Sequence, residues 1–405
     1  MEKPLKIRLQ TLSPVHIGCD DVYEPTSFVI DEQRQALIEF DPLELLNSLN
    51  QNEKTELTKV CMGNDLLSIL KFIRKIYSQQ VGGREVEIAP ALLKQYKKIL
   101  GMSRFDKRAL NQFVIGRTAY NPHDNIPYIP GSSLKGALRT AYLSKIAKDE
   151  GVKNWWEVSQ KLTRDDRRNS GTIDKGIRKK RLYKELEEKL LDGKFNTDPF
   201  RLVKISDLRA VNGVRTKIVY AVNKKKKQSR FEAKGPYQIL ETIQGDEIFE
   251  GIINIEKPER GSNISRPVTK ETILDSLDCF YKSICIDEDE AVLKKIDASS
   301  AVSDTVGSRF RDTIGVSTFP VRLGRHSGAE SITIEDNRHI KIMQGRGAQP
   351  KFTTDGATTI WLASDSPDPD SNRDLLPFGW AILTIGEQLE TESIISKDGT
   401  AGTMT

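Results

Sequence analysis

A proline–glycine break followed at once by helical apolar spacing constrains this chain more than any other stretch. Residues 127–139 read Pro-Tyr-Ile-Pro-Gly-Ser-Ser-Leu-Lys-Gly-Ala-Leu-Arg. Pro130 and Gly131 form a turn that cannot continue a helix, and Ser132 or Ser133 is suited to cap the helix that Leu134, Ala137, Leu138 and Ala141 carry forward. Such a helix start presents free amides and the positive end of the helix dipole, both of which favour an anion. Lys135 and Arg139 stand one turn apart and add charge on that side. The plainer alternative is an ordinary capped surface helix with two solvated cations. A Walker A loop is excluded, because Gly136 follows Lys135 where G-x-x-x-x-G-K-[ST] needs it to precede. Nucleotide hydrolysis gains no support.

The chain has 405 residues, too many for one ordinary core, which points to two domains. With 62 Lys and Arg against 57 Asp and Glu, the net charge of +5 does not by itself mark a nucleic-acid binder. Distribution says more: cations crowd from Arg164 to Arg181, and Lys224 to Lys227 run unbroken beside Arg230. In polar stretches of this kind, such runs are solvated loops or sequence-independent phosphate contacts. The four cysteines, Cys19, Cys61, Cys279 and Cys285, have no C-x-x-C spacing, so neither a disulfide framework nor a zinc site is expected. The N-terminal Met-Glu-Lys-Pro-Leu-Lys leads straight into a strand pattern, and no apolar run is long enough to span a bilayer. The expectation is an untargeted cytoplasmic protein without cofactor or metal.

Element patterns alternate between the two periodicities. Leu5 to Leu9 alternates with period two and predicts a first strand, and residues 28–30 and 36–40 flank a turn and predict a hairpin. Asp41-Pro42 predicts a capped helix start, and residues 55–80 a helix with Leu66, Leu67, Leu70, Ile73 and Ile76 on one side. Helix 132–148 is followed by a charged helical insertion over about 154–192. Strands are expected at 200–205 and 216–222, and the Gly245-Asp246 pair predicts a hairpin between 236–243 and 247–255. Helix 268–284 and strands 358–363 and 379–385 complete the pattern. This order suits an α+β architecture in which helices cover one face of a sheet.

Beyond these patterns, Thr11-Leu12-Ser13-Pro14-Val15-His16-Ile17-Gly18 followed by Tyr128 to Arg139 resembles the RAMP proteins of CRISPR systems. The pieces Val22 to Phe28, Gly324-Arg325-His326-Ser327-Gly328-Ala329-Glu330 and Pro377-Phe378-Gly379-Trp380 resemble one branch. That branch is the Csm subunit capping the filament at the 3′ end of the guide RNA (crRNA) in type III-A effector complexes. A departure concerns the family's C-terminal loop of paired glycines around a basic spacer. Only Pro377 to Trp380 and Gly345-Arg346-Gly347 remain, so no RNA contact is carried over to that loop. The resemblance implies two ferredoxin-like (RRM-like) units with helical and basic insertions, divided here as residues 1–235 and 236–405. It also implies crRNA, a neighbouring RAMP backbone subunit and other Csm subunits as partners, with target RNA a further candidate and no membrane.

The chemistry-bearing residues divide three readings. Metal-independent RNA cleavage needs a base for the 2′-hydroxyl and an acid for the leaving oxygen, work that suits histidine. His16, between a strand end and Gly18, is the candidate base, and some RAMP relatives that cut guide precursors use a His near this place. No second acid or base is placed beside it by the sequence. In the second reading the chain is a non-catalytic RNA-binding subunit needed for crRNA maturation. Ser132, Ser133, Lys135 and Arg139 then hold phosphate, Gly18, Gly131 and Gly136 permit close approach, and His16, Arg325 and His326 line the same groove. Tyr120, Tyr128, Phe231, Tyr237 and Phe319 are candidates for stacking on bases, against core burial. In the third reading the protein is a scaffold that docks a backbone subunit without touching RNA.

Overall fold

The computed structural model describes residues 3–386 apart from 64, 79–80, 104–105, 158–174, 228–232, 234, 310–316, 343–348 and 350. Its first strands are β1 (Leu5–Thr11), β2 (Gly18–Val22), β3 (Phe28–Asp31), β4 (Ala36–Glu39), β5 (Arg84–Ile88), β6 (Ile115–Thr118), β7 (Val203–Ile205), β8 (Arg209–Ala210) and β9 (Thr216–Lys225). They continue with β10 (Gln238–Ile243), β11 (Ile248–Ile255), β12 (Ser317–Arg322), β13 (Ile340–Ile342), β14 (Lys351–Thr353), β15 (Thr359–Ser364), β16 (Leu376–Pro377) and β17 (Trp380–Gly386). One sheet has the order β12-β17-β1-β11-β7, with β8 also on β11, and every pairing in it is antiparallel. The larger sheet runs β2-β6-β10-β9-β5-β4-β3, with β15 on β9 and β16 on β15. An antiparallel sheet, a mixed sheet and covering helices make this the α+β class expected. Both sheets draw strands from each side of residue 235.

Local signals are borne out where neighbours in sequence decide the outcome. β1 alternates buried and outward residues, sending Leu5, Ile7 and Leu9 into the core. β3 and β4 pair as the expected hairpin. Asp41 caps α1 (Pro42–Ser48), its carboxylate accepting from the Leu43 amide. The helical stretch 55–80 is two helices, α2 (Gln51–Met62) and α3 (Leu66–Ile76), the second capped by Asp65. They are followed by α4 (Pro90–Leu100), α5 (Lys107–Asn111) and α6 (Gly131–Asp149). Later helices span Lys175–Leu190, Lys270–Glu288 and Ala301–Arg309.

The hairpin expected about Gly245-Asp246 does not form. The turn is real, with Asp246 in the left-handed region at φ 68°, but its two strands enter different sheets. β10 pairs with β9 and β6, whereas β11 pairs with β1. The N-terminal segment wedges between them: Val15 exchanges backbone bonds with Ile243, and Thr11 donates to the Glu247 carbonyl. The Thr11 hydroxyl donates to the Gln244 carbonyl at 2.6 Å and accepts from the Glu247 amide at 3.0 Å. A two-residue turn therefore joins the sheets instead of closing a ladder.

One core lies on the smaller sheet, where α6 buries Leu134, Leu138 and Ala141 beside Leu277 and Phe280 of helix Lys270–Glu288. Full burial of each such side chain contributes about 1.5–3 kcal/mol. Tyr281 ties the pair together by donating to the Ala137 carbonyl at 3.2 Å. A second core, including Leu92 and Tyr96 of α4, covers the larger sheet against Ile218 and Tyr220. α6 is thus held rigidly on a sheet, with its first turn beside β7.

Candidate nucleic-acid interface

Three of the sequence pieces singled out above, though far apart in the chain, meet where the two sheets join. The Arg325 amide donates to the His16 carbonyl, the Leu323 amide to Gly379, and the Gly379 amide to Pro14. Gly324 and Gly379 have φ of +79° and +87°. A Cβ on Gly324 would lie 2.5 Å from the His16 carbonyl, and one on Gly379 would strike the Leu323 carbonyl. These glycines serve close approach of the chain to itself.

This junction borders a cavity of about 530 Å³ lined by His16, Gly18, Arg117, Gln238 and Arg325 among others. His16 is 2% exposed, and its Nδ1 donates to the Glu241 carbonyl at 2.8 Å. Burial holds its imidazole below the ordinary value; the bond to Glu241 opposes this and the Arg325 charge adds to it. His326 contacts Gln238 Oε1 through Nε2 at 3.2 Å and packs on Trp361 and Phe378. Burial, with Arg325 and His16 adding to it, pushes His326 down to about 4. Arg117, 7% exposed, pairs with Glu39 at 2.7 Å and stacks on Tyr120 at 3.7 Å. Gly18 is exposed on the edge strand β2, and Arg325 is exposed beside it.

The helix start departs from the expectation in a definite way. Pro130 is the N-cap residue and makes no side-chain cap, so Ser132 and Ser133 lie inside the first turn instead of capping it. The Gly131 amide donates to Asp207 Oδ1 at 2.8 Å, and the Ser133 amide to the Pro130 carbonyl. A carboxylate from 76 residues away thus already occupies the anion-favouring position. Gly131 is buried, and a Cβ there would lie 2.6 Å from the Ser206 carbonyl, so its small size serves the docking of α6 on β7. Arg139 is also engaged internally. Its guanidinium donates to both Asp198 oxygens at 3.0 and 2.8 Å and to Glu187 at 2.8 Å. That pairing binds α6 to its neighbours and removes Arg139 from the set available to phosphate.

Of the site candidates on α6, Ser132 and Gly136 are exposed and Lys135 is half-buried. Gly136 is exposed, and a Cβ there would meet nothing within 4 Å. A mid-helix glycine costs roughly 0.5–1 kcal/mol relative to alanine, and no internal packing requires it here. Lys135 donates to the Val203 carbonyl at 2.7 Å and lines a cavity of about 900 Å³ with Arg201, Lys204 and Lys257. Burial and the nearby Lys204 charge hold its amine below the ordinary lysine value. Lys135 and the His16–Arg325 pair therefore line two different cavities, not one groove.

Of the aromatic candidates, Phe319 is buried, Tyr237 lies edge-on to Tyr220, and Tyr120 is covered by Arg117. Trp380 is core. Sequence reasoning passed over Phe195, which is 76% exposed with the Arg201 guanidinium 5.6 Å from its ring centre. The signal available was its flanking by Gly193, Lys194 and Asn196. Phe231, Arg230, Gly345-Arg346-Gly347, the tail after Glu390 and residues 164–174 of the first basic stretch lie outside the described residues. Lys224 and Lys225 end β9, and Lys226 pairs with Glu330 at 2.7 Å. Among the described residues no group of three or more His, Cys, Asp and Glu is placed to hold a metal. No described helix is long and apolar enough to cross a membrane.

The profile of the RAMP superfamily matches residues 8–296. The chain belongs to the RAMP superfamily. A Methanocaldococcus jannaschii protein, "CRISPR system Cms protein Csm5", is 24% identical to this RAMP protein over 257 residues, covering 61% of this chain and 54% of that protein. The chain thus spans about half the length of the curated relative it matches. A chain from the cryo-EM structure of a Csm–crRNA–target RNA ternary complex of a type III-A CRISPR-Cas system is similar in fold. Its TM-score is 0.58 at 18% identity, over 94% of this chain and 100% of that one. The crystal structure of T. onnurineus Csm5 gives 0.53 at 19% identity, over 93% and 99%. The resemblance to the Csm branch read from the motifs is borne out.

Proposed function

We propose that this RAMP protein is a non-catalytic RNA-binding subunit of a type III-A CRISPR (Csm) effector ribonucleoprotein in the cytoplasm, capping the 3′ segment of the crRNA and needed for its maturation. Its two sheets are then read as two diverged ferredoxin-like units. Its partners are crRNA, a neighbouring RAMP backbone subunit and other Csm subunits. The observation that carries the reading is the cavity where Lys135, Arg201, Lys204 and Lys257 outweigh Glu256 and Glu259, the first of these glutamates lying 3.9 Å from Lys204. Cations gathered on one concave wall bind sugar-phosphate without reading bases, and a helix without a side chain at Gly136 lets a strand come close. Arg325 and Ser132 extend the exposed set.

The endoribonuclease alternative has His16 as its base. His16 is held neutral by burial, so its Nε2 could accept a proton, yet His326 beside it is pushed down to about 4 and carries no proton to give at neutral pH. Incubating the purified full chain with guide RNA, with and without EDTA, tests the whole reading. Salt-sensitive binding without cleavage is expected. Lys204→Glu with Lys257→Glu should weaken binding to every sequence and flatten the salt slope by about 1 per lost contact. Cleavage that disappears in His16→Ala would overturn the non-catalytic reading, and no binding even at low salt would favour the protein-only scaffold.

A further inference from the structure

Phe195 is anomalous on two counts. Large aromatic side chains drive burial, yet this one is 76% exposed. It also stands on a braced loop. The Gly193 amide donates to the Glu188 carbonyl and the Thr197 amide to Lys194. The Lys194 amide donates to Thr197 Oγ1, and Asp198 is clamped by Arg139. The ring is therefore offered to solvent from a braced backbone.

Its surroundings define what fits. The Arg201 guanidinium, 5.6 Å from the ring centre, lines the 900 Å³ cavity together with the adjacent Asn196, with Lys135, Lys204 and Lys257, and with Glu256 and Glu259, which the cations outnumber. A protein partner would have to cover this ring together with the neighbouring cavity's lysines, a residue type depleted from protein–protein interface cores. A single-stranded nucleic acid needs this combination: cations for phosphates and an aromatic or guanidinium plane for a base.

We infer that Phe195, with Arg201, is a stacking platform for one unpaired nucleobase of single-stranded RNA whose phosphates follow Lys204 and Lys257. This inference rests on the RNA-binding reading above and adds a base contact to it. The platform accepts any base, because every base presents a π-face, so it fixes a strand's position without specifying its sequence.

The test uses the full chain and fluorescence anisotropy on two labelled single-stranded oligoribonucleotides of equal length, one of adenosines and one of abasic riboses. Phe195→Ala should weaken the adenosine oligomer roughly 5- to 100-fold and leave the abasic one unchanged. Phe195→Trp should keep affinity, and adenosines should quench its indole fluorescence more than abasic sugars do. If wild type binds both oligomers and Phe195→Ala leaves their affinity ratio unaltered, the platform is refuted while RNA binding stands. If wild type binds neither at low salt, the RNA-binding reading fails with it. Should Phe195→Ala spare RNA but abolish association with a co-expressed Csm subunit, the ring is a protein contact and the inference is overturned.

Discussion

At the scale of single residues, buried polar groups mark where the chain crosses itself. Glu241, 1% exposed, receives Arg84 on one oxygen and the Thr118 amide on the other, while its carbonyl receives His16. One residue on β10 thus joins the segment after β1, β5 and β6. The histidines give a pH prediction. Because burial lowers the folded pKa of both His16 and His326 below the unfolded value near 6.5, the unfolded chain binds more protons as pH falls. Stability is complete above that value and declines as pH drops from about 6.5 towards 4, at most about 1.4 kcal/mol per pH unit for each group. Urea denaturation between pH 7 and 5 should show this slope, and His326→Gln should make it shallower. An unchanged slope would mean His326 is not held neutral.

At the scale of elements, α6 carries two glycines with opposite reasons. Gly131 is pressed against β7, so Gly131→Ala adds a methyl where Ser206 and Ile205 carbonyls already stand and should cost about 1–3 kcal/mol. Gly136→Ala enters open space and should stabilise the helix by about 0.5–1 kcal/mol. Calorimetry should therefore move the two melting temperatures in opposite directions, while anisotropy should find weaker RNA binding for Gly136→Ala if a strand approaches that face. The start of α6 was readable from Pro130, but its capping was not, since the cap is the Asp207 carboxylate. No spacing rule reaches a partner that distant. The Gly245-Asp246 turn teaches the same point: the turn chemistry is local, while what pairs across it is set by Thr11 and Val15.

For the whole molecule, the decisive event is the placing of β1 between β11 and β17, the last described strand. Beside β17, the smaller sheet and helix Lys270–Glu288 are tied by a charged group withdrawn from water. Glu288 receives Arg322 at 2.5 Å and the Trp380 indole at 3.0 Å, with Arg322 only 2% exposed. Glu288→Ala would strand that guanidinium in the core and should destabilise the fold by about 3–5 kcal/mol in denaturant titrations. Glu288→Gln, which keeps the side-chain volume and one acceptor oxygen for one of the two donors, should cost less. Comparable losses for the two variants would mean that the charge with its second acceptor oxygen, and not the retained volume, carries the stability.

The amino-acid sequence by itself determined whatever depends on neighbours a few residues apart: the alternation of β1, the β3–β4 hairpin, the caps of α1 and the apolar stripe of α6. Its scattered motifs also carried the family. Only the tertiary structure decided which charges are tied up inside and which gather at a cavity. Arg139 looks like a phosphate ligand until Asp198 and Glu187 are brought to it. Phe195 looks unremarkable until Lys135, Lys204 and Lys257 gather beside its Arg201 neighbour. The physical reason is range. Backbone preference and helix or strand periodicity act over a turn or two, whereas ion pairing and cavity formation depend on contacts between segments that the chain order separates.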